Sequence, residues 1–177
     1  MRLETERLLI HPITEKDIPR IHDLHCTKEI AEFNTLGIPV DISVTEKLLE
    51  NVLAEDNQEF GWTIWEKSTN YFIGELGMGI SPEMDRGEIH YALLPDAWGN
   101  GYAAEAVKQI IKFGFETLHL QSIEANTPTE NIHSIKLLER VGMTKESIQQ
   151  KTLLIGDDWF DNYTFAIAPP DGQLPSK

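Results

Sequence analysis

Two glycines, Gly99 and Gly101, stand one residue apart in residues 94–106, whose sequence is Leu-Pro-Asp-Ala-Trp-Gly-Asn-Gly-Tyr-Ala-Ala-Glu-Ala. An extended run, residues 88–94, leads into them, and a helical pattern, roughly residues 103–118, follows. The first N–H groups of a helix lack partners within the helix, and the helix dipole adds partial positive charge at that end. Glycine lets the backbone approach a phosphate because it has no Cβ. The segment therefore predicts a site for a phosphate-bearing ligand.

A dinucleotide is one candidate ligand, because the glycines and Ala104 fit the G-x-G-x-x-A pattern and Glu124 follows twenty residues later. The strand of a dinucleotide fold, however, is nearly all apolar and runs directly into its first glycine. Here residues 95–98 intervene, and Glu88 and His90 interrupt the strand. A dinucleotide-binding protein is therefore a remote alternative. A P-loop nucleotidase is excluded because the sequence has no G-x-x-x-x-G-K-[ST].

The loop at residues 94–106 resembles the acetyl-CoA pyrophosphate loop of the GNAT N-acetyltransferases. It is most similar to the branch that contains the RimJ/RimL-type ribosomal-protein N-terminal acetyltransferases. Other segments resemble that branch in the same order along the chain: residues 3–10 its opening strand, 73–77 its third strand, 87–93 its fourth strand, and 131–143 its Asn-x-x-Ser helix. Four matches in the right order are far more specific than any one of them.

Three positions depart from the pattern of the family. Trp98 stands where the wider superfamily has Gln or Arg, which marks this branch, and Met143 replaces the usual Phe. His90 stands where the branch often has Gly. The His90 change bears on the acceptor side of the reaction rather than on the cofactor.

The resemblance implies an α/β fold with a mixed, mostly antiparallel sheet, a splayed parallel strand pair, and helices on both faces. It implies a single acetyltransferase domain over residues 1–168. The prolines and glycine of residues 169–177 predict a flexible tail. The implied activity is transfer of an acetyl group from acetyl-CoA to a primary amine by direct attack in a ternary complex. A non-catalytic CoA-binding or regulatory module on the same fold is the alternative.

The resemblance also implies roles for individual residues on the cofactor side. The strand that ends at Leu93 and Leu94 is expected to carry a bulge and to splay from residues 122–126, so that one of these two N–H groups stabilises the oxyanion. The residues expected to contact acetyl-CoA are Leu93, Leu94, Trp98, Gly99, Asn100, Gly101, Tyr102, Ala103, Ala104, Asn131 and Ser134.

Asn131 and Ser134 match the Asn-x-x-Ser of the branch. By resemblance, Asn131 hydrogen-bonds the pantetheine arm, and the Ser134 hydroxyl protonates the departing sulfur. The alternative is that both residues only cap their helix, a common use of these side chains.

The general base has several candidates on or near the central strand. Glu88 stands where the branch often has Glu, and His90 lies two residues later on the same strand face. Glu75 and Tyr91 are further options, and Glu88 could instead be a paired structural carboxylate. The expected catalytic set is thus Ser134, Glu88, His90 and Leu94.

The acceptor of this family enters between the loop after the first helix and the final hairpin, here about residues 27–41 and 154–161. These segments contain the acidic residues Glu29, Glu32, Asp157, Asp158 and Asp161, and the aromatic residues Phe33, Trp159 and Phe160. Such a mouth predicts a cationic amine: a peptide N-terminus, an aminoglycoside or a polyamine.

The composition narrows the function further. The chain has 177 residues and a net charge of −14, which argues against binding nucleic acid through a basic surface. The single cysteine, Cys26, excludes an internal disulfide, and His22 and His25 have no evident third metal ligand. The sequence predicts a cytoplasmic protein without membrane spans or metal, either monomer or homodimer. A solvated acidic face is expected at Glu50, Glu55, Asp56 and Glu59.

These residues must be positioned by strands and helices that the periodicity predicts. Thr14 and Asp17 are spaced as a capping box for the first helix, and Ser43 and Glu46 as one for the second. Because Pro19 fits only in a first turn, Asp17 is the alternative start of the first helix. Gly142 is expected to close the last helix in the left-handed region. The predicted strands are residues 8–13, 60–66, 71–80, 86–94, 122–126, 151–155 and 159–168, and the predicted helices are residues 14–26, about 43–52, 103–118 and 131–141.

Overall fold

The computed structural model of the protein describes residues 1–54 and 58–170. The strands are β1 (Leu3–Glu4), β2 (Leu8–Pro12), β3 (Glu59–Glu66), β4 (Tyr71–Ile80), β5 (Arg86–Leu93), β6 (Ser122–Pro128), β7 (Thr144–Ile155) and β8 (Asp158–Ile167). The helices are α1 (Ile18–His25), α2 (Lys28–Ala31), α3 (Ile42–Leu53), α4 (Tyr102–Glu116) and α5 (Ile132–Arg140). Glu55, Asp56 and tail residues 171–177, for which the sequence makes predictions, lie outside the described residues.

The strands form one mixed sheet in the order β1-β2-β3-β4-β5-β6-β8-β7. Neighbouring strands run antiparallel except β5 and β6, which are parallel. Those two strands pair only from Arg86↔Ser122 to Glu88↔Glu124 and then separate. The predicted mixed α/β fold with a splayed parallel pair is confirmed.

The predicted bulge at the end of β5 was wrong. The pairing of β4 with β5 runs without a shift as far as Gly74↔Leu93. The irregularity lies instead between β3 and β4, where Ile64 pairs with Gly74 but Trp65 pairs with Phe72. One residue of β4 is therefore extra, and the strand is distorted beside the end of β5 rather than within it.

The two faces of the sheet carry different helices. Alternation along β5 turns Ile89 and Leu93 into the main core, where they pack with α4 residues such as Val107 and Ile110. The opposite face is covered by α1 and α3. Gly61 of β3 lies on that face, against the side chains of Ile13, which precedes α1, and of Val52 in α3. Along β5, odd-numbered residues such as Ile89 and Leu93 therefore face α4, and even-numbered residues face the side of α1 and α3.

The structure tests the capping residues that the sequence predicts before α1, at the start of α3 and after α5. The Asp17 carboxylate accepts hydrogen bonds from the Thr14 N–H at 3.0 Å and the Thr14 hydroxyl at 2.7 Å, as the capping box predicts. The box caps a 3₁₀ turn, Glu15–Asp17, rather than α1, which begins after it with Asp17 as its own N-cap. The Ser43 capping box is wrong, because Asp41 is the N-cap of α3 and accepts from the Ser43 N–H at 2.8 Å. Gly142 follows α5 with φ 95, as predicted.

Two elements escaped the sequence pattern. The short helix α2 lies inside the segment predicted as a loop, and β7 begins at Thr144 rather than at residue 151. The first half of β7 is exposed and mostly polar, so it has no apolar alternation to reveal it. Backbone pairing with β8, rather than local pattern, makes it a strand.

Candidate active site

The glycine loop before α4 presents a row of unpaired backbone donors. Gly99 and Gly101 have φ 77 and 79, a region that non-glycine residues adopt only with strain. No residue that the structure describes accepts a hydrogen bond from the N–H groups of residues 99–104. Since α4 begins at Tyr102, the last of these groups are the free donors of its first turn, where the helix dipole favours an anion.

The loop is held by its carbonyl side. The Arg7 Nη1 donates to the Asn100 carbonyl at 3.0 Å, and the Asn100 side chain donates to the Trp98 carbonyl at 3.1 Å. The Arg7 Nε and Nη2 both lie 2.7 Å from the Glu105 carboxylate. Because carbonyls are used to fix the loop to the protein, its N–H groups are left for a ligand.

Arg7 and Glu105 were missed by the sequence analysis. Burial alone would raise the pKa of Glu105, but hydrogen bonds from the Thr5 hydroxyl, the Arg7 backbone N–H and the Arg7 guanidinium hold that pKa below its ordinary value. The two residues are 98 positions apart, and the only local signal is an acid in the first turn of a helix.

The end of β5 supplies a backbone donor at the opening between β5 and β6. The Leu94 N–H is already bonded to the Ile73 carbonyl at 2.9 Å. In an antiparallel ladder successive residues turn their N–H groups to opposite edges, so the Leu93 N–H faces the β6 side, where the strands have separated. The Leu93 carbonyl accepts from the Trp98 indole N–H at 2.7 Å. The geometry therefore favours Leu93 over Leu94 as the oxyanion donor.

Ser134 lies on the α4–α5 face of the sheet, in contact with Tyr91. The two hydroxyls share a hydrogen bond of 2.8 Å. The Ser134 N–H donates to the Asn131 side-chain oxygen at 3.1 Å, so Asn131 does cap α5. Burial raises the pKa of Tyr91 to about 12, although the bond to Ser134 opposes the shift. Tyr91 is therefore a neutral phenol near pH 7, which suits a donor and not a base.

Glu88 and His90 lie together on the opposite face of the sheet. Both side chains are exposed, and the Asn126 Nδ2 donates to the Glu88 carboxylate at 2.7 Å. The His90 ring lies across Gly77 of β4, where a Cβ would come 2.2 Å from the imidazole Nε2. The glycine thus makes the space for the histidine that distinguishes this chain.

The other titratable candidates are engaged elsewhere. Glu75 is buried, and its carboxylate lies 2.5 Å from the His25 Nε2. His22 is instead hydrogen-bonded to the Thr45 hydroxyl at 3.0 Å, so His22 and His25 do not converge. Within residues 1–54 and 58–170, no three His, Cys, Asp or Glu side chains are grouped to hold a metal ion. No helix in those ranges is long and apolar enough to span a membrane.

The segments predicted to form the acceptor mouth are largely exposed. Trp159 is 57% exposed, and the carboxylates of Glu29, Glu32 and Asp158 face solvent. Asp161 is half-buried and accepts from the Lys151 N–H at 2.8 Å, so it shapes the hairpin. Among the residues the structure describes, no hydrogen bond or ion pair joins the two segments.

Comparison with known families decides what this arrangement belongs to. A family model described as an acetyltransferase (GNAT) domain matches residues 7–144, which is most of the chain. The chain belongs to the GNAT acetyltransferase family. It is an N-acetyltransferase, and acetyl-CoA is its cosubstrate.

Individual GNAT relatives cover nearly the whole chain. N-acetyltransferase p20 of Bacillus licheniformis is 31% identical over 93% of this chain and 94% of its own length. The ribosomal protein uS5-alanine N-acetyltransferase of Escherichia coli is 24% identical over 97% of this chain and 92% of its own.

Solved GNAT structures have the same fold. The RimL ribosomal L7/L12 acetyltransferase in complex with coenzyme A superimposes with a TM-score of 0.86 at 16% identity, covering 95% of this chain and 98% of that one. The spermidine N-acetyltransferase of Vibrio cholerae, in complex with CoA and spermine, gives 0.84 at 19% identity, covering 93% and 96%. At these identities the likeness speaks for the fold alone.

Proposed function

We propose that this N-acetyltransferase holds acetyl-CoA on the α4–α5 side of the sheet and passes its acetyl group, through the opening between β5 and β6, to a cationic primary amine on the opposite side. The observation that carries the proposal is the row of free N–H groups at residues 99–104, beside two strands that separate after Glu88 and Glu124. A phosphate anchor and a gap through the sheet are what a long thioester cofactor needs.

On the cofactor side, backbone groups do most of the binding. The N–H groups of residues 99–104 take the pyrophosphate, flanked by Trp98. The pantetheine arm lies between the separated strands, where the Asn131 Nδ2 is available because its oxygen caps α5. The Leu93 N–H then stabilises the oxyanion as the amine attacks, a contribution typically worth about 3 kcal/mol.

Ser134 protonates the sulfur. When the Tyr91 hydroxyl donates the hydrogen bond to the Ser134 oxygen, the serine O–H points away from Tyr91. The serine proton is then available to the departing thiolate. As the amine nitrogen bonds to the carbonyl carbon and the C–S bond breaks, the sulfur takes the serine proton. Tyr91, neutral because its pKa is about 12, returns a proton to the serine oxygen and is itself reprotonated from solvent, which also receives the second proton lost by the amine nitrogen.

Glu88 is the proposed general base, with His90 as the second candidate. Both side chains lie on the acceptor face close to the point where the strands part, and both are exposed to an incoming amine. The base removes a proton from the attacking ammonium, directly or through water, so that the nitrogen lone pair is free. Glu75 is a weaker candidate because its carboxylate is paired with His25.

The acceptor face is acidic, which supports a cationic acceptor. Glu59, Glu88 and Glu124 lie in one row across the sheet, because Gly79 pairs with both Glu59 and Glu88, and Glu88 pairs with Glu124. The exposed acids of the predicted mouth add to this charge. The Escherichia coli relative is named for acetylating an alanine of ribosomal protein uS5, and the Vibrio cholerae neighbour binds spermine, so the acceptors to be tested include both peptides and polyamines.

The decisive experiment is an acceptor screen with the purified chain and acetyl-CoA, read by release of free thiol. The panel contains polyamines, aminoglycosides and ribosomal-protein N-terminal peptides, with neutral and acidic peptides of equal length as controls. Preference for the cationic members supports the proposal, and preference for the acidic peptides contradicts it. Tight binding of CoA without turnover on any amine would instead favour the non-catalytic module.

The base is tested with Glu88→Gln and His90→Ala on the best acceptor from the screen. If Glu88 is the base, Glu88→Gln removes the acidic limb from the pH profile of kcat/KM, and His90→Ala keeps it. The reverse result transfers the role to His90. A cytoplasmic location, and a monomeric or homodimeric state, stay predictions of the sequence.

A further inference from the structure

Asn126 bridges the two parallel strands at the point where their backbones part. The last backbone pair is Glu88↔Glu124, and Asn126 is two residues further along β6. Its Nδ2 nevertheless reaches back to the Glu88 carboxylate, at 2.7 Å. A side-chain hydrogen bond thus continues the contact between β5 and β6 one step beyond the ladder, at the mouth of the opening.

The orientation of the Asn126 side chain is fixed from β8. Its Oδ1 accepts from the Asn162 Nδ2 at 3.0 Å and from the Thr164 hydroxyl at 2.9 Å. An ionised carboxylate can only accept hydrogen bonds, so the Asn126 atom that faces Glu88 must be the donor, Nδ2. The amide oxygen is thereby left on the side of β8. Asn162 is itself buried, so this contact lies within the packed part of the sheet.

We infer that Asn126 is the positioning residue of the general base: it aims the Glu88 carboxylate into the opening and stabilises its charged form. The inference rests on the proposed role of Glu88 and adds a residue that the sequence analysis did not single out. A donor fixed on a carboxylate favours the ionised state, and the second carboxylate oxygen is left to receive the amine proton.

Charged side chains surround Glu88 on this face of the sheet. Glu124 is its register partner on β6, and the Glu59 carboxylate lies 3.1 Å from the Cβ position of Gly79, which is opposite Glu88 on β4. Arg86 and His90 flank Glu88 on its own strand, and the Arg86 guanidinium is directed to Glu124 at 3.9 Å. Carboxylates thus lie on both sides of Glu88, and Asn126 donates to it from the side of the opening.

Asn126→Asp is the sharpest test. The aspartate side chain has the same shape and can still accept from Asn162 and Thr164, but the amide NH₂ group that donates to Glu88 is replaced by a carboxylate oxygen. The titration of the Glu88 carboxyl carbon is followed by ¹³C NMR on the full chain, with Glu88→Gln identifying the resonance. The midpoint should move up by about one pH unit or more, and kcat/KM on the acidic limb should fall about tenfold. Asn70→Asp, in the β3–β4 turn, adds the same charge without touching Glu88 and should change neither.

Asn126→Ala gives the same answer if the aspartate variant does not fold, with a smaller upward shift because the donor is lost and no charge is gained. An unchanged Glu88 midpoint in a folded Asn126 variant, with only a lower Tm, would make Asn126 structural and overturn the inference. The NMR readout needs no acceptor. If Glu88→Gln keeps the acidic limb, Glu88 is not the base and the proposed function fails at that step, whatever Asn126 does to the titration.

Discussion

The cofactor side and the acceptor side of the sheet are built from different materials. On the proposed cofactor side, backbone N–H groups at residues 99–104 and Leu93 are the proposed binding groups, and the side chains of Arg7 and Glu105 hold the loop. On the acceptor side, side chains from β5, β6 and β8 bind one another across the sheet. Backbone groups suit a cofactor that never changes, whereas side chains allow the acceptor to differ between members of one fold.

The largest expected effect comes from Ser134, the proposed proton donor to the departing sulfur. Ser134→Ala should lower kcat about 100-fold or more, because a general acid contributes that much, while the KM for acetyl-CoA changes little. The substitution keeps the backbone N–H of residue 134, which donates to the Asn131 side-chain oxygen, so α5 stays capped. Tyr91→Phe is the matched control and should lower kcat less, since the serine proton remains. Steady-state kinetics with equal kcat for Ser134→Ala and the parent would remove Ser134 from the chemistry.

The next effect tests whether the cofactor side depends on backbone shape. Gly101→Val places a β-branched residue at φ 79 and should weaken acetyl-CoA binding about tenfold in calorimetry, because the left-handed conformation costs about 1–2 kcal/mol. Gly142→Ala, at φ 95 after α5, is the control: it should lower Tm and leave the affinity unchanged. If Gly142→Ala lost affinity for acetyl-CoA and Gly101→Val did not, the glycine loop would not be the binding site of the cofactor.

A smaller effect is expected when the loop loses its support. Arg7→Met removes the donor to the Asn100 carbonyl and the partner of Glu105, and should raise the KM for acetyl-CoA about fivefold with kcat unchanged. Lys67→Met is matched to it, because Lys67 is a nearby cation that pairs with Glu4 and not with the loop. Equal kinetic effects of the two variants would mean that only the net charge matters.

The Arg7–Glu105 pair makes the stability of the protein depend on pH, and the sign of this dependence follows from the pKa of Glu105. Its pKa is lower in the folded protein than in the unfolded chain, so the stabilisation is present above the ordinary pKa of a glutamate and is lost as pH falls through the folded-state pKa. Thermal unfolding should therefore show the parent more stable than Glu105→Gln at pH 7 and this advantage disappearing in acid. An advantage that grows in acid would contradict the assignment.

The smallest effect tests the indole N–H of Trp98. Trp98→Phe keeps an aromatic ring but loses the 2.7 Å hydrogen bond to the Leu93 carbonyl, which orients the peptide beside the oxyanion donor. We expect kcat to fall about threefold, in keeping with the loss of one neutral hydrogen bond. Single-turnover rates measure this step without product release, and an unchanged rate would show that the strand end is fixed by β4 alone.

The cofactor side was largely predictable from sequence because its signals are local. The loop, the start of α4 and the Asn131–Ser134 cap each lie within a few residues, where spacing directly implies geometry. The same holds for the Thr14–Asp17 capping box. The caps of α3 show the limit: Asp41 and Ser43 are both good capping residues two positions apart, and local pattern did not choose between them.

The acceptor side was predictable only as a set of candidates. Glu88 and His90 were named from their strand, but nothing near them in sequence points to Asn126, 38 residues away, or to the glycine that admits the histidine ring. The start of β7 was missed for a related reason, since an exposed edge strand has no buried face to impose a period on its side chains.

The sequence by itself determined the order of strands and helices around the glycine loop, and with it the family and the cofactor, because backbone conformation and helix ends are encoded by neighbouring residues. Tertiary structure decided which donors and carboxylates are free. Only the folded sheet turns the Leu94 N–H to Ile73 and the Leu93 N–H to the opening, pairs Glu75 with His25, and brings Asn126 to Glu88. Those choices depend on which strands lie side by side, and that information is distributed over the whole chain.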